Sequence, residues 1–198
     1  MSGPCAAVLL PDSWTPSHGE LFRVWLAQAL TKETGDWWLL REPYRLGWQV
    51  VSPTTGPMLV EPGDWASEDQ DEEACLVRAV GFRPATEVLL AAATNGLDDH
   101  RFLAHLAVAT ARRYGGLIDL TGQLPVPPPL GVRALDAVES GVGMAQWQAR
   151  VRETLRMLGG TWQEIPYLTD RGTTAIYHVV DPDLLAAWLT HPDFRMVK

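Results

Sequence analysis

The sequence predicts an α+β domain: a mixed, mostly antiparallel sheet with about four helices packed on it. Three observations lead there. An amphipathic helical pattern, a glycine stop and an aromatic or apolar strand follow one another at Gly35-Asp36-Trp37, Gly115-Gly116-Leu117 and Gly160-Thr161-Trp162. Strand-like runs are short and interrupted by proline, as at Pro43, Pro53, Pro57 and Pro62, and proline cannot donate to a ladder. Hydrophobic residues make up 46% and charged residues 20% of the 198, enough apolar content for one domain spanning the chain with its own core.

In chain order, Ala6 to Leu10 is an apolar run that ends at Pro11 and reads as a buried strand. Ser17 and Glu20 have capping-box spacing. Phe22, Trp25, Leu26, Ala29 and Leu30 then recur at helical spacing, predicting a helix from about Gly19 to Glu33 that Gly35 stops. Trp37–Leu40 and Gly47–Val51 are expected to pair as strands, with Met58–Val60 as a third or an edge. Cys75–Phe82 and Glu87–Ala93 read as two more strands. A helix capped by Asp98 or Asp99 follows, with Leu103, Leu106, Ala107, Thr110 and Tyr114 as its core stripe. Leu117–Leu120 returns as a buried strand, suggesting a βαβ-type unit. Residues 122–143 form a long Pro-rich connection, with Pro125, Pro127, Pro128 and Pro129; such connections are often functional. Met144, Trp147, Val151, Leu155 and Leu158 define another helix. Trp162–Tyr167 and Thr174–Val180 form a hairpin about Asp170-Arg171-Gly172. Asp181 and Pro182 start the last helix, with Leu184, Leu185, Trp188 and Leu189 on its buried side. Phe194 to Val197 is expected to add a terminal strand.

Composition bounds function. The net charge is −8, which disfavours a phosphate backbone as partner, so no nucleic acid is expected. No apolar stretch approaches the ~20 residues of a membrane span and no signal peptide is visible, so a cytoplasmic protein without a membrane partner is expected. Cys5 and Cys75 are too few and too distant for a disulfide framework. No cysteine or histidine spacing indicates a metal, and no cofactor is expected. His100 and His105 are five apart, the wrong interval for two ligands on one helical face. A nucleophile elbow and a phosphate-cradling Gly-Lys loop are both missing from the sequence.

Two features remain. Residues 61–73 hold Glu61, Asp64, Glu68, Asp69, Asp71, Glu72 and Glu73 and no basic residue, which reads as a solvated acidic loop. It is either an insertion or a steering surface for a basic partner, with Trp65 as apolar anchor. Asp98, His100 and Asp119 are the other candidates. The first two sit at a helix N-terminus and the third at a strand's C-terminal end, where ligands favour open sheets. They are either a cap and a buried carboxylate or the groups of a pocket.

Val80-Gly81-Phe82-x-Pro84, Asn95-x-x-Asp98-x-His100, Gly115-Gly116-x-Ile118-Asp119 and His191-Pro-x-Phe194-Arg-Met-Val-Lys198 together resemble an actinomycete domain-of-unknown-function family. That family is similar to the immunity proteins of polymorphic-toxin systems. The resemblance implies an immunity-type or defence-related protein that masks a partner protein, such as a toxin with a basic surface, and carries over no catalytic residue. The alternative is a small-molecule-binding enzyme or sensor using Asp98, His100 and Asp119.

Overall fold

The computed structural model describes residues 3–67, 69–127, 141–169 and 171–198. Eight strands form one sheet: β1 (Cys5–Leu10), β2 (Leu30–Lys32), β3 (Trp37–Leu40), β4 (Met58–Asp64), β5 (Thr86–Ala92), β6 (Leu117–Asp119), β7 (Trp162–Leu168) and β8 (Thr174–Val180). Among the described residues there are five α-helices, one more than the sequence suggested: α1 (Pro16–Ala29), α2 (Gln70–Val80), α3 (Leu97–Tyr114), α4 (Gly141–Leu158) and α5 (Pro182–Leu189). The sheet order is β2-β3-β4-β5-β1-β6-β8-β7. Every neighbouring pair is antiparallel, so the sheet is wholly rather than mostly antiparallel. β5 and β6 both flank β1 and therefore run parallel to each other, joined by α3. The expected βαβ unit is real but has β1 inserted between its strands.

Alternation along the strands sorts the side chains into two layers. Ala6, Val8, Leu10, Met58, Val60, Val88, Leu90 and Ile118 face the main core, which α1, α3, α4 and α5 close with Phe22, Leu26, Phe102, Leu103, Leu106, Val151, Leu155, Leu184 and Trp188. Leu9, Ile165, Tyr177 and Val179 face the other way, and Leu76 of α2 covers them.

The helix at 70–80 replaces both the acidic loop and the strand expected at Cys75–Phe82. Asp69 is its N-cap, accepting from the N–H groups of Asp71 (2.8 Å) and Glu72 (3.3 Å). Asp71, Glu72 and Glu73 fill the first turn and Arg78 the last, each favourable with the helix dipole. Gly81 closes the helix at φ +85°, a conformation that suits glycine. Cys75, Leu76, Ala79 and Val80 form its apolar stripe, so the acid density marks a helix start rather than an unstructured tract. The N-terminal half of the acidic run is strand, since β4 continues through Glu61 to Asp64.

Other expectations shift in detail. Gly47–Val51 is no strand: Pro43–Leu46 is a 3-10 turn, and Gly47 leaves it at φ +79°. Trp48 is then buried against the core, and β3 pairs with β2 and β4 instead. Helix α1 begins earlier than expected, because Thr15 caps it with His18 as its reciprocal partner. The terminal segment forms no strand. It is pinned individually, through Val197 O accepting from Cys5 N (3.2 Å) and Met196 N donating to His100. Of the Pro-rich connection, Leu124 and Val126 are buried in the main core, while residues 128–140 lie outside the described residues.

A proline stands on edge strand β7 and on the end of β4 that overhangs β3. Val60 N–H donates to Asp36 O, so Pro62, two residues on, turns the same way beyond the end of β3. His178 N–H donates to Gly122 O, away from β7, so its partner Glu164, and with it Pro166, turn outward. A missing donor at each of these two places blunts strand addition.

Candidate functional site

On the α2 side of the sheet lies a cavity of about 350 Å³. Asp69 and Glu72 enter it from the cap and first turn of α2, Asp119 from β6, and Tyr177 from β8. Trp65 and Ser67 come from the β4–α2 connection. Leu168, largely exposed, stands at its margin. Among the described residues its lining has three carboxylates and no lysine or arginine.

Register explains how residues so distant in sequence meet. Asp119 follows Leu117 at a two-residue interval, on the face of Leu9 and away from Ile118. Tyr177 occupies the same face of β8. Helix α2 lies across that face because its apolar stripe needs cover, and its capped end then brings Asp69 and Glu72 to the cavity.

Electrostatics follow from this enclosure. Burial pushes the Asp119 carboxyl up to about 7; the Thr121 N–H, at 2.6 Å from Oδ1, opposes this, and the charges of Glu72 and Glu87 add to it. Tyr177 is also raised, by burial first and then by the charges of Asp119 and Glu72. Glu87 is raised by burial and by neighbouring Glu61. This face therefore carries more negative charge than it can readily hold unpaired. One internal cation partly answers it: Arg83 bonds Glu73 through Nε at 2.6 Å and stacks over Trp65 at 5.6 Å from the ring centroid.

Of the residues singled out in sequence, Trp65, Asp69 and Glu72 join at this cavity. Asp71 is exposed on the first turn of α2 and Glu73 is engaged by Arg83, whereas Asp64 lines a separate cavity with Glu20 and Arg23 on the α1 side of the sheet. Glu68 lies outside the described residues. Tyr177 and Ser67 were not anticipated. Tyr177 alternates with Val179 in the sequence, but only the β6–β8 register shows that it shares a face with Asp119.

Asp98, His100 and Asp119 do not share a pocket. Asp98 accepts from Thr54 N (3.0 Å) and is 3.6 Å from Arg101. His100 is buried; its Nδ1 accepts from Met196 N (2.9 Å) and its Nε2 contacts Asn95 Oδ1 (3.1 Å). Burial, with Arg195 nearby, lowers its pKa. Their neighbour Asp99 accepts from Gly56 N (2.8 Å), Thr94 Oγ1 (2.7 Å) and Gly96 N (2.7 Å). This cluster ties the 48–57 loop and the C-terminal segment to α3, on the main-core side of the sheet. Asp119 opens on the other side.

Two further polar clusters stand apart. A cavity of about 320 Å³ between α3 and α5 is lined by Arg101, His105 and Arg112 over Trp48, but Arg112 is paired with Asp183 (2.8 Å) and Arg101 faces Asp98. His178 is fully buried, and its Nδ1 accepts from Leu124 N (2.9 Å). Its Nε2 has no hydrogen-bond partner and lies 3.8 Å from Glu164 Oε1, itself held by Arg152 through two bonds. Burial lowers the His178 pKa to about 4.

Among the described residues, no group of three or more His, Cys, Asp or Glu side chains is placed to hold a metal ion. Nor is any described helix long and apolar enough to cross a membrane. No curated protein and no solved structure matches the chain. The family model that does match covers residues 2–198, and on that span the chain belongs to DUF6368, a family of unknown function.

Proposed function

We propose that the chain is a protein-binding protein of the immunity or defence type, which masks a partner carrying a basic surface. One observation carries the reading. Folding gathers part of the acidic run and a distant carboxylate, Asp119, around one concave site beside Trp65, with no cation in its described lining. A partner arginine or lysine inserted there would be desolvated between carboxylates, with Trp65 at hand, the arrangement that makes a charged side chain a binding hot spot. The Arg83 guanidinium on Trp65 shows the stacking geometry within the chain itself. Exposed Asp71 extends the field outward and would steer encounter. Masking in the cytoplasm is in keeping with the two free thiols, Cys5 and Cys75.

The enzyme or sensor alternative needs Asp98, His100 and Asp119 in one pocket, and no observation favours it over their separate structural duties.

The test is affinity capture from a related bacterial lysate, with wild type and an Asp71→Lys/Glu72→Lys variant side by side. A single stoichiometric partner is expected on the wild type, released by salt. The variant should associate about tenfold or more slowly and with a flatter salt dependence. A partner captured equally by both, with the same salt dependence, would refute the reading.

A further inference from the structure

The α2 side of the sheet is only half covered. Helix α2 packs over β1, β6, β7 and β8, where Leu9, Ile165, Tyr177 and Val179 are buried beneath it. On β3, β4 and β5 the corresponding positions are Trp37, Leu39, Leu59 and Leu89. All four are half-buried, and none belongs to either core. Their alternating neighbours Trp38, Met58, Val60, Val88 and Leu90 are buried on the opposite face. Trp37 pairs with Leu59 across β3 and β4, and Glu61 pairs with Leu89 across β4 and β5. The row continues through buried Ala7 to Asp119, so the open half adjoins the acidic cavity.

Its size and charge say what fits. Three strands at ~4.8 Å spacing make a strip about 10 Å across, the width of one α-helix. The strip is apolar with carboxylates set into it: exposed Glu61, and half-buried Glu87, raised by burial and by Glu61 beside it. A second copy of this chain would bring the same acids face to face, which like-charge repulsion opposes. A helix with an apolar stripe and lysine or arginine flanks meets both features.

We infer that the open half of the sheet, formed by Trp37, Leu39, Leu59 and Leu89 around Glu61 and Glu87, is a docking platform for a basic amphipathic helix of the partner. It would lie alongside α2, with one of its cations reaching the cavity at Asp119. This rests on the protein-masking reading and adds where the partner lies and in what form.

The probe is an 18-residue helical peptide with leucines on one face and lysines elsewhere, against a counterpart with glutamates in place of the lysines. Binding is followed by the methyl resonances of leucine-labelled protein. The lysine peptide should shift Leu39, Leu59 and Leu89 together with the Trp37 indole, and the glutamate peptide should shift none. A Leu59→Glu/Leu89→Glu variant, checked for unchanged melting, should bind the lysine peptide about tenfold or more weakly. No binding of the lysine peptide, or shifts confined to other faces, overturns the platform. So does self-association by light scattering that Leu89→Glu abolishes, because the face would then be a self-interface. With the captured partner the two claims separate. Loss on Asp71→Lys/Glu72→Lys but not on Leu59→Glu/Leu89→Glu keeps the acidic reading and overturns the platform; loss on neither overturns both.

Discussion

Replacing Asp119 by asparagine should stabilise the protein at alkaline pH and do almost nothing in acid. The carboxyl titrates near 7 in the fold against an ordinary 3.8. Between those values the folded state holds a proton that the unfolded chain releases. Stability therefore falls as pH rises from about 4 to 7, and the full penalty is present above 7. Three pKa units correspond to about 4 kcal/mol. The side chain is only half-buried, opening on the cavity, so solvent screening reduces this to about 2 kcal/mol. Asparagine keeps an acceptor for the Thr121 N–H and removes the charge. In urea unfolding from pH 4 to 9, the Asp119→Asn advantage should grow through neutrality, to about 2 kcal/mol at pH 8. An advantage that does not vary with pH, or a loss at pH 8, would refute the placement of Asp119 as a strained carboxylate. The same titration bears on binding: a cation in the cavity favours the ionised form, so complex formation should release a proton below pH 7.

Other expectations follow from the same geometry. Neutral His178, held near pKa 4, should cost the wild type about 3 kcal/mol of stability as pH falls from 7 to 4. A His178→Gln variant should lack this loss, and parallel curves would contradict the neutral buried ring. Asp99→Ala leaves the donors at Gly56, Thr94 and Gly96 unanswered and should destabilise by about 3 kcal/mol, read by urea midpoint; a change under about 1 kcal/mol would count against it. Trp188 is fully buried and its Nε1 donates to Arg195 O at 2.8 Å. Trp188→Ala should cost about 4 kcal/mol in thermal or urea unfolding, whereas a small loss would mean that α5 is not part of the core.

Much of the fold was legible where local signals agreed. Alternation marked β5 and β8, glycine stops ended α3 and α4, and Asp181-Pro182 placed the start of α5. The failure at α2 is instructive, because its signals were present: Asp69 as cap, acids in the first turn, Arg78 in the last and Gly81 as stop. Its apolar stripe of Cys75, Leu76, Ala79 and Val80 is short and also fits a buried strand, so acid density and the β-compatible run outweighed the capping pattern. At the site, Trp65, Asp69 and Glu72 could be proposed from one local run. Tyr177 and Asp119 could not be joined to them, because that meeting depends on strand order and on which face α2 covers. The Asp98, His100 and Asp119 grouping failed for the same reason, since proximity to strand ends does not say which side of the sheet a group faces.

The central claim is that the acidic side of the sheet is what a partner covers. Carboxylate labelling with mass spectrometry, on the protein alone and with its captured partner, tests this most directly. Protection of Glu61, Asp71 and Glu72, with Asp12, Glu20 and Asp183 still reactive, is the predicted result. Protection of Asp12, Glu20 or Asp183 while the acidic side stays reactive would contradict it.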